Sequence, residues 1–375
     1  MAQGIRAGIV GAGWPGVKHA EGYKAAGGFQ IVAVADLIPS RRQALIGQFP
    51  GATEYADAQA VIDDEKVEVV SVCLPNHLHA AVALAALKKG KHVVCETPPA
   101  VSAGEAKKMA AAAAKAGKVL LYAAQRRFGG AEQAAAQALA KGYAGTPYHA
   151  RAAWMRTRGV PTGTGWFTDR SKSGGGALID LGVQMLDLAW SLLGQPRPLT
   201  AFAVLHPKLP GAAPAGRTHD VEDAGFALVR FEGGKSLELS ASWAINQPPR
   251  QQGTACRVYG DGGAVEVYTP NGPLLYRGFG AKGDAKETPL KLPKVVHYPA
   301  MMRHLKRCIQ AGESPVVGPA EGLVLMQVMD AIYKGAETGR SVEIRAEGTP
   351  SSTGPQSTNA GAGTSAPVTV AVVSS

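Results

Sequence analysis

The sequence predicts an α/β protein that combines two domains of different sheet architecture. Over residues 1–124, nearly continuous apolar runs alternate with helical segments, which is typical of a doubly wound parallel sheet. After residue 144 the pattern changes to strands joined by glycine-rich turns. This predicts an α+β domain with an open, mainly antiparallel sheet over residues 125–346. Residues 347–375 are rich in Ser, Thr, Gly, Pro and Ala, and we expect this tail to be disordered.

The first strand runs into a turn with three glycines. Their spacing, after an apolar run and before a helix, is typical of sites that bind dinucleotides. Gly11 permits the tight turn, Gly13 lets the backbone approach a pyrophosphate, and Gly16 lets the helix pack close to the strand. The helix N-terminus adds free N–H groups and a positive dipole end. The predicted pyrophosphate site comprises Gly11, Ala12, Gly13, Trp14, Pro15 and Gly16.

The second strand, over residues 29–35, ends in an acidic residue. Asp36 stands about 20 residues beyond the last glycine of the turn, where an acid accepts hydrogen bonds from the adenosine ribose hydroxyls. Its charge disfavours a 2′-phosphate, so the sequence favours NAD over NADP. Arg41 and Arg42 act in the opposite direction, because either can meet that phosphate or stack on adenine. Leu37 is a further candidate contact, and a helix N-cap is the alternative role for the acid.

Further polar segments follow the carboxyl ends of the remaining strands of this sheet. Ligands of doubly wound sheets bind beyond those strand ends. The additional candidates for cofactor binding are Leu74, Pro75, Asn76, His79, Glu96 and Gln125. The predicted strands are 52–55, 67–74, 92–95 and 119–124, and the predicted helices are 17–26, 40–49, 58–62, 80–89 and 103–116.

The second domain is predicted to contain seven strands and one internal helix. The strands are 147–156, 200–205, 224–231, 236–244, 255–259, 265–268 and 274–277. The helix spans residues 177–193 and follows a glycine run at 174–176. Two closing helices, 300–311 and 320–338, are expected to pack back toward the first domain.

Composition limits the functional classes that fit the chain. The formal net charge is +10, but the basic residues are dispersed without interleaved aromatic residues, so nucleic-acid binding is not expected. No apolar run reaches the roughly 20 residues that a membrane span needs, and no signal-peptide pattern opens the chain. The cysteines lack CxxC spacing, which favours buried free thiols in a cytoplasmic protein. No histidine–carboxylate spacing predicts a metal site.

Several motifs in a fixed order resemble the glucose–fructose oxidoreductase / inositol dehydrogenase / MocA (Gfo/Idh/MocA) family. The resemblance covers nearly everything from residue 5 to residue 344. The motifs are Gly11-Ala12-Gly13, Asp36, Leu74-Pro75-Asn76-His77-Leu78-His79, segment 90–96 and segment 174–182. The resemblance implies a Rossmann domain, a nicotinamide cofactor and a second domain whose open sheet face pairs in dimers or tetramers. It also implies hydride transfer at a hydroxyl-bearing carbon of a sugar, cyclitol or related small molecule.

Two positions depart from the family's pattern where the chemistry takes place. The family usually has lysine where this chain has Thr97, and histidine where it has Gln184. Neither residue acts as a base near pH 7, although both can hold a hydroxyl or carbonyl by hydrogen bonds. Asp180, one helical turn before Gln184, is the remaining acid/base candidate, or else a brace of the cleft. Lys172 is a candidate to replace the missing ammonium group.

Three functions remain open from the sequence. The first is an NAD(P)-dependent oxidoreductase that acts on a polyhydroxy small molecule with an altered acid/base group. The second is a non-catalytic dinucleotide- or sugar-binding protein, or a redox-sensing one. The third is a lyase or epimerase that recycles NAD. Further side chains that can line the cleft are Tyr122, Arg126, Trp166 and Tyr298, and His79 can stabilise a turn instead of contacting the cofactor.

Overall fold

The computed structural model describes residues 4–161, 165–207, 218–279 and 283–345. Within these residues the first sheet has six parallel strands in the order β3-β2-β1-β4-β5-β6. The strands are β1 (Ile5–Val10), β2 (Phe29–Ala35), β3 (Thr53–Tyr55), β4 (Val69–Val72), β5 (His92–Cys95) and β6 (Leu120–Tyr122). This order confirms the predicted doubly wound parallel sheet.

Within residues 4–122, five helices connect these strands, and three of them begin earlier than the sequence suggests, α2 by only one residue. They are α1 (Trp14–Ala26), α2 (Pro39–Ile46), α3 (Ala58–Asp63), α4 (Asn76–Lys88) and α5 (Ala103–Ala116). Pro15 lies in the first turn of α1, where its fixed φ and missing N–H are tolerated. Helix α4 begins directly after Pro75, so its first turn takes up a segment that the sequence alone places in a loop. Helix α5 matches its predicted bounds because Ser102 caps its N-terminus and Gly117 ends it in a left-handed conformation.

The second sheet has nine strands within the described residues, in the order β14-β13-β12-β11-β7-β10-β9-β8-β15. They are β7 (Pro147–Met155), β8 (Pro198–Pro207), β9 (Glu222–Phe231), β10 (Ser236–Ser242), β11 (Gly253–Gly260), β12 (Gly263–Glu266), β13 (Leu274–Arg277), β14 (Lys286–Pro289) and β15 (Val342–Glu343). Strand β10 pairs in parallel with β7, and the other neighbours are antiparallel, which confirms the predicted mainly antiparallel sheet. The edge strands β14 and β15 were not predicted, because they are short and lack an alternation of apolar and polar residues.

Further helical segments lie between and after these strands. They are the 3₁₀ turn Gln125–Phe128, α6 (Gly130–Ala140), α7 (Arg170–Ser173), the π-helical turn Leu178–Gly182 that continues into α8 (Val183–Leu192), α9 (His297–Ala311) and α10 (Pro319–Thr338). Helix α6 was not predicted because its many alanines give little contrast between an apolar and a polar face. The π turn at the start of α8 is notable, since such turns occur frequently at functional sites.

One hydrophobic core extends from the parallel sheet through α8 to the second sheet, and the described residues up to Ile344 form one compact unit. Helix α9 packs on α1, where the missing side chain of Gly22 leaves room for Tyr298. Helix α10 packs on α5, and the N–H of Ala103 donates to Asp330 at 3.0 Å. Both closing helices therefore contact helices that flank the parallel sheet.

In the part of the chain that the structure describes, every helix is too short or too polar to cross a lipid bilayer. The same residues contain no group of three His, Cys, Asp or Glu side chains that could hold a metal ion. The free and buried cysteines are Cys73, Cys95, Cys256 and Cys308. The predicted tail at 347–375 lies outside the described residues.

Candidate active site

The turn between β1 and α1 has the tight backbone that its glycines predict. Gly11 adopts a φ of +94°, a conformation that favours glycine, and a side chain there would meet the carbonyl oxygen of Cys73. A side chain at Gly16 would meet the carbonyl oxygen of Gly11. At Gly13, by contrast, a Cβ would have only Pro15 Cδ nearby, at 3.9 Å, so this side of the turn is open. The open side and the free N–H groups of α1 suit the pyrophosphate of a dinucleotide.

Asp36 lies beside this turn at the end of β2. Its carboxylate accepts hydrogen bonds from the N–H groups of Ala12 and Ile38, each at 2.8 Å. A carboxylate has about four lone pairs, so it can also accept from the ribose hydroxyls of a cofactor. The Arg42 guanidinium already donates to the Asp36 carbonyl oxygen and to Glu54. Arg42 is therefore less available for a 2′-phosphate than the sequence suggested.

Exposed side chains surround the position where the sequence places the nucleotide. Trp14 and Leu37 are 65% and 84% exposed, so both side chains are accessible to a ligand. Arg41 is exposed, and its side chain makes no hydrogen bond or ion pair with any described residue. Leu37 and Arg41 can therefore flank an adenine ring, in keeping with their place after β2.

The segment after β4 connects the parallel sheet to the loop before the glycine run. Asn76 is buried, and its side-chain amide donates to the carbonyl oxygen of Ser173 at 2.8 Å. His79 is also buried, with its ring nitrogens 2.9 and 2.8 Å from the carbonyl oxygens of Pro98 and Leu74. Burial lowers the pKa of His79, while the hydrogen bonds to the two carbonyl oxygens act in the opposite direction. Because both ring nitrogens contact backbone, the alternative role of a turn-stabilising histidine fits His79 best.

Glu96, directly after β5, belongs to a buried polar network next to the glycine turn. Its carboxylate lies 3.0 Å from Nε2 of His19 and accepts from the N–H of Thr97 at 3.2 Å. Nδ1 of His19 lies 3.1 Å from the Ser71 hydroxyl, which Tyr23 also contacts at 2.8 Å. This network fixes the carboxylate and the backbone of the next residue. Sequence reasoning missed His19, whose only signal is a polar ring on the buried face of α1.

Asp180 and Gln184 lie one turn apart at the start of the helix that follows the glycine run. Asp180 accepts a hydrogen bond from the indole N–H of Trp243 at 2.7 Å. Gln184 donates to the Asp180 carbonyl oxygen at 3.3 Å and accepts from the Gln125 side chain at 3.2 Å. The structure thus brings together Asp180, Gln184 and Gln125, which the sequence selected from two separate segments.

The Asp180 carboxyl group has a perturbed acidity. Burial raises the pKa of Asp180 above its ordinary value. The hydrogen bond from Trp243 and the positive charge of Arg156 act in the opposite direction without cancelling that effect. A carboxylate with a raised pKa accepts a proton more readily than an ordinary aspartate, as a general base requires.

A buried glutamate fixes the glycine run that leads into this helix. Glu222 accepts hydrogen bonds from the N–H groups of Gly176 and Leu178, each at 2.9 Å, and from the Tyr333 hydroxyl at 2.9 Å. A side chain at Gly176 would meet the Glu222 backbone, and one at Gly175 would meet the Tyr333 ring. These contacts hold the backbone at the start of the helix, and they therefore help to set the position of the Asp180 carboxylate.

Other side chains that the sequence selected lie differently. Thr97 is partly buried and is the second residue after β5, near the strand end that the sequence predicted. Lys172 is half-exposed, and its Nζ lies 2.7 Å from the Asp169 carboxylate, so this ammonium already has an anionic partner. Tyr122 is fully buried against Gly322 of α10 and belongs to the core instead of the cleft.

Sequence reasoning missed two of the side chains that surround Asp180. Trp243 directly follows β10, and Arg156 directly follows β7. Trp166 stacks on Phe167 with 3.8 Å between ring centroids, and Phe167 meets Trp243 edge-on at 6.4 Å. Trp243 and Arg156 could have been found from their positions at strand ends, but candidate residues were sought only at the strand ends of the parallel sheet.

Comparison with known proteins agrees with this geometry. The model of an oxidoreductase family with an NAD-binding Rossmann fold matches residues 5–124, and the model of the Gfo/Idh/MocA C-terminal domain matches residues 133–266. D-glucoside 3-dehydrogenase of Escherichia coli (strain K12) is 33% identical over 355 residues, which cover 91% of this chain and 97% of that protein.

Solved structures show the same architecture. Aldose-aldose oxidoreductase from Caulobacter crescentus, complexed with glycerol, has a TM-score of 0.76 at 26% identity and covers 91% of this chain and 99% of its own. Levoglucosan dehydrogenase in complex with NADH and levoglucosan has the same fold, with a TM-score of 0.81 at 22% identity over 92% of this chain and 100% of its own. The motifs, the glycine turn and both matched domains agree. The chain belongs to the Gfo/Idh/MocA family of NAD-binding oxidoreductases.

Proposed function

We propose that this oxidoreductase transfers hydride between NAD(P) and a hydroxyl-bearing carbon of a sugar, cyclitol or similar polyol, with Asp180 exchanging the hydroxyl proton. The observation that carries the proposal is the partly buried Asp180 carboxylate, whose pKa is raised by desolvation and which lies beside the Gln125–Gln184 pair. The names of the relatives support the substrate class, because they include a glucoside dehydrogenase and an aldose oxidoreductase.

Oxidation of an alcohol requires a group that takes up the hydroxyl proton while hydride leaves the same carbon. The bound nicotinamide supplies the hydride acceptor, or in its reduced form the donor for the reverse reaction. The indole N–H of Trp243 holds Oδ2 of Asp180, and within the described residues no hydrogen bond engages Oδ1. Oδ1 is therefore the oxygen that accepts the proton. The amide groups of Gln125 and Gln184 can hold neighbouring hydroxyl or carbonyl oxygens.

Steady-state assays with a panel of aldoses, glycosides and cyclitols test this proposal. We expect NAD⁺ reduction with at least one polyol, measured by NADH absorbance, together with a product two hydrogens lighter by mass spectrometry. Intact NAD binding without turnover of any polyol at any pH would contradict the proposal. A non-catalytic dinucleotide-binding role would then follow from the neutral Thr97 and Gln184. Net substrate conversion without NADH accumulation would instead point to recycling of the cofactor.

We also propose that copies of the chain associate through the open face of the second sheet. An apolar patch lies there on the neighbouring strands β8 and β9, and its members are Phe202, Val204, Phe226 and Leu228, between 36% and 47% exposed. Phe202 pairs with Leu228 and Val204 with Phe226 in the strand register, so the patch is continuous. A second copy of the same face would remove this patch from water.

The variant Leu228→Glu is expected to convert dimers or tetramers into monomers, because it places a charge in the centre of a buried apolar contact. Size-exclusion chromatography with light scattering measures the change. Leu292→Glu is the matched control, since Leu292 is 50% exposed outside this sheet, and it should leave the mass unchanged. A native protein that is monomeric at micromolar concentration, or a Leu228→Glu variant with the native mass, would refute the interface.

A further inference from the structure

We propose that the substrate carries an anionic group, a carboxylate or a phosphate, which binds between Arg126 and Arg156. The inference rests on the proposed function, since it names the class of polyol that enters the same cleft. It starts from a closed series of contacts, here called the cleft ring, whose members are Gln125, Arg126, Trp154, Arg156, Asp180 and Gln184.

Both arginines of the cleft ring lie beside the Trp154 ring, and Arg156 is also near the candidate base Asp180. Arg126 follows Gln125 in the 3₁₀ turn, and its guanidinium lies 4.3 Å from the centroid of the Trp154 ring. Arg156 lies 5.3 Å from the same centroid and is close enough for its charge to act on the Asp180 carboxyl group. The Gln125–Gln184 hydrogen bond and the bond from Gln184 to the Asp180 carbonyl oxygen close the ring.

The positively charged guanidinium groups of Arg126 and Arg156 therefore lie beside the same indole ring. Their distances to it keep the two guanidinium carbons within about 10 Å of each other, where like charges near a protein surface still repel. Neither arginine forms an ion pair with a carboxylate anywhere in the described residues. The pair is thus a concentration of positive charge without a carboxylate in ion-pair contact among the described residues, although Arg156 acts electrostatically on the nearby Asp180 carboxyl group.

The neighbouring acidic groups are engaged elsewhere. Asp180 accepts the indole N–H of Trp243. Glu132 accepts a hydrogen bond from the Tyr268 hydroxyl at 2.6 Å and lies 3.5 Å from His297. Within the described residues, the Arg126 side chain donates a hydrogen bond only to that same hydroxyl, at 3.0 Å. These carboxylates moderate the positive potential, but they do not supply a direct partner to either guanidinium.

The polar atoms of the cleft ring are also incompletely satisfied. Nε of Arg126 and Oε1 of Gln125 are buried without a hydrogen-bond partner among the described residues. Within the described residues, the Arg156 side chain donates only to the carbonyl oxygen of Gly159, at 3.5 Å. A buried donor without a partner is costly, and a planar guanidinium matches the two oxygens of a carboxylate or phosphate. An anionic group at this position would satisfy the free donors and offset the repulsion between the two cations.

Matched substrate pairs measure this preference: a methyl glucoside with the corresponding glucuronide, and glucose with glucose 6-phosphate. We expect kcat/KM to be about tenfold or more higher for the anionic member of at least one pair. The pair that shows the preference identifies the anion as carboxylate or phosphate. In Arg126→Gln and in Arg156→Gln the preference should fall about tenfold, and Arg156→Lys should retain part of it. High salt should reduce the native preference.

Arg158→Gln is the control, because Arg158 is exposed in the same loop and donates to Asn246 outside the cleft ring. Its preference should equal that of the native protein. Equal kcat/KM for both members of each pair, or a preference that survives Arg126→Gln and Arg156→Gln in variants with native thermal melting, would overturn the inference.

Calorimetry of glucuronate and of glucose 6-phosphate binding to the NADH-loaded protein separates this inference from the proposed function. Arginine-dependent binding of an anionic sugar without turnover of any polyol would uphold the anion site and refute the dehydrogenase activity. Turnover of neutral sugars without arginine-dependent binding of the anionic sugars would uphold the dehydrogenase activity and refute the anion site.

Discussion

The variant Asp180→Asn is expected to lower kcat for alcohol oxidation by about a hundredfold to ten-thousandfold, the range that a general base contributes. Asparagine has nearly the same shape, and its carbonyl oxygen can still accept the indole N–H of Trp243, which donates to Asp180 at 2.7 Å. The substitution therefore removes the proton acceptor and preserves the packing. Binding of NADH, measured by fluorescence titration, should remain within about threefold of the native value.

The pH profile gives an independent test of the same role. The carboxylate is the active form in oxidation, and burial raises the pKa of Asp180. Native kcat/KM should therefore rise with pH through a pKa above that of an ordinary aspartate and then level off. The residual activity of Asp180→Asn should lack this rise, because the titrating group is absent.

Asp330→Asn is the matched control for this variant. Burial raises the pKa of Asp330 as well, and its carboxylate on α10 accepts a hydrogen bond from the N–H of Ala103 at the start of α5. We expect kcat within about twofold of the native value, since the hydrogen bond from Ala103 is the only one that the Asp330 side chain forms with the described residues. If Asp180→Asn kept its activity within tenfold of native, Asp180 would be a brace for Trp243. The hydroxyl proton would then have to be accepted by a group other than Asp180, Gln125 or Gln184.

The cofactor half of the site could be predicted from short stretches of sequence. Gly11, Gly13 and Gly16 act through the geometry of one strand, turn and helix, and Asp36 acts through its place at the end of the next strand. Hydrophobic patterns identify both features, because each depends on residues close together in the chain. The same reasoning placed Asn76 and His79 near this site. It did not show that His79 contacts backbone at both ring nitrogens, since one partner comes from the loop after β5.

The substrate half depends on long-range pairing that no local pattern contains. Asp180 and Gln184 share one helix, so their spacing was sufficient to place them together. Trp243 and Arg156 meet there because β10 pairs in parallel with β7, with Ser242 opposite Met155. The residues that directly follow both strands therefore leave the sheet side by side. A parallel pair inside a mainly antiparallel sheet was not predictable from hairpin-like turns, and this is why both side chains were missed.

The variant Asp187→Asn is expected to lower the free energy of unfolding by about 3–5 kcal/mol. Asp187 and Arg127 form a bidentate ion pair, in which Arg127 Nε and Nη2 donate to the two carboxylate oxygens at 2.8 and 2.6 Å. Their side chains are only 2% and 7% exposed, so the variant leaves a guanidinium charge buried without its partner. Urea denaturation of the cofactor-free protein measures the difference.

The exposed pair Arg170–Glu337 provides the comparison, because its side chains are 46% and 50% exposed. Glu337→Gln should change the unfolding free energy by less than about 1 kcal/mol. Replacing both buried partners, with Arg127→Met and Asp187→Leu together, should recover most of the loss, since no unpaired charge then remains. Arg127 lies in the same 3₁₀ turn as Gln125, and Asp187 lies on α8 with Gln184. Asp187→Asn should therefore also weaken the 3.2 Å hydrogen bond between Gln125 and Gln184. A loss for Asp187→Asn no larger than that for Glu337→Gln would show that this ion pair does not hold the turn against the helix.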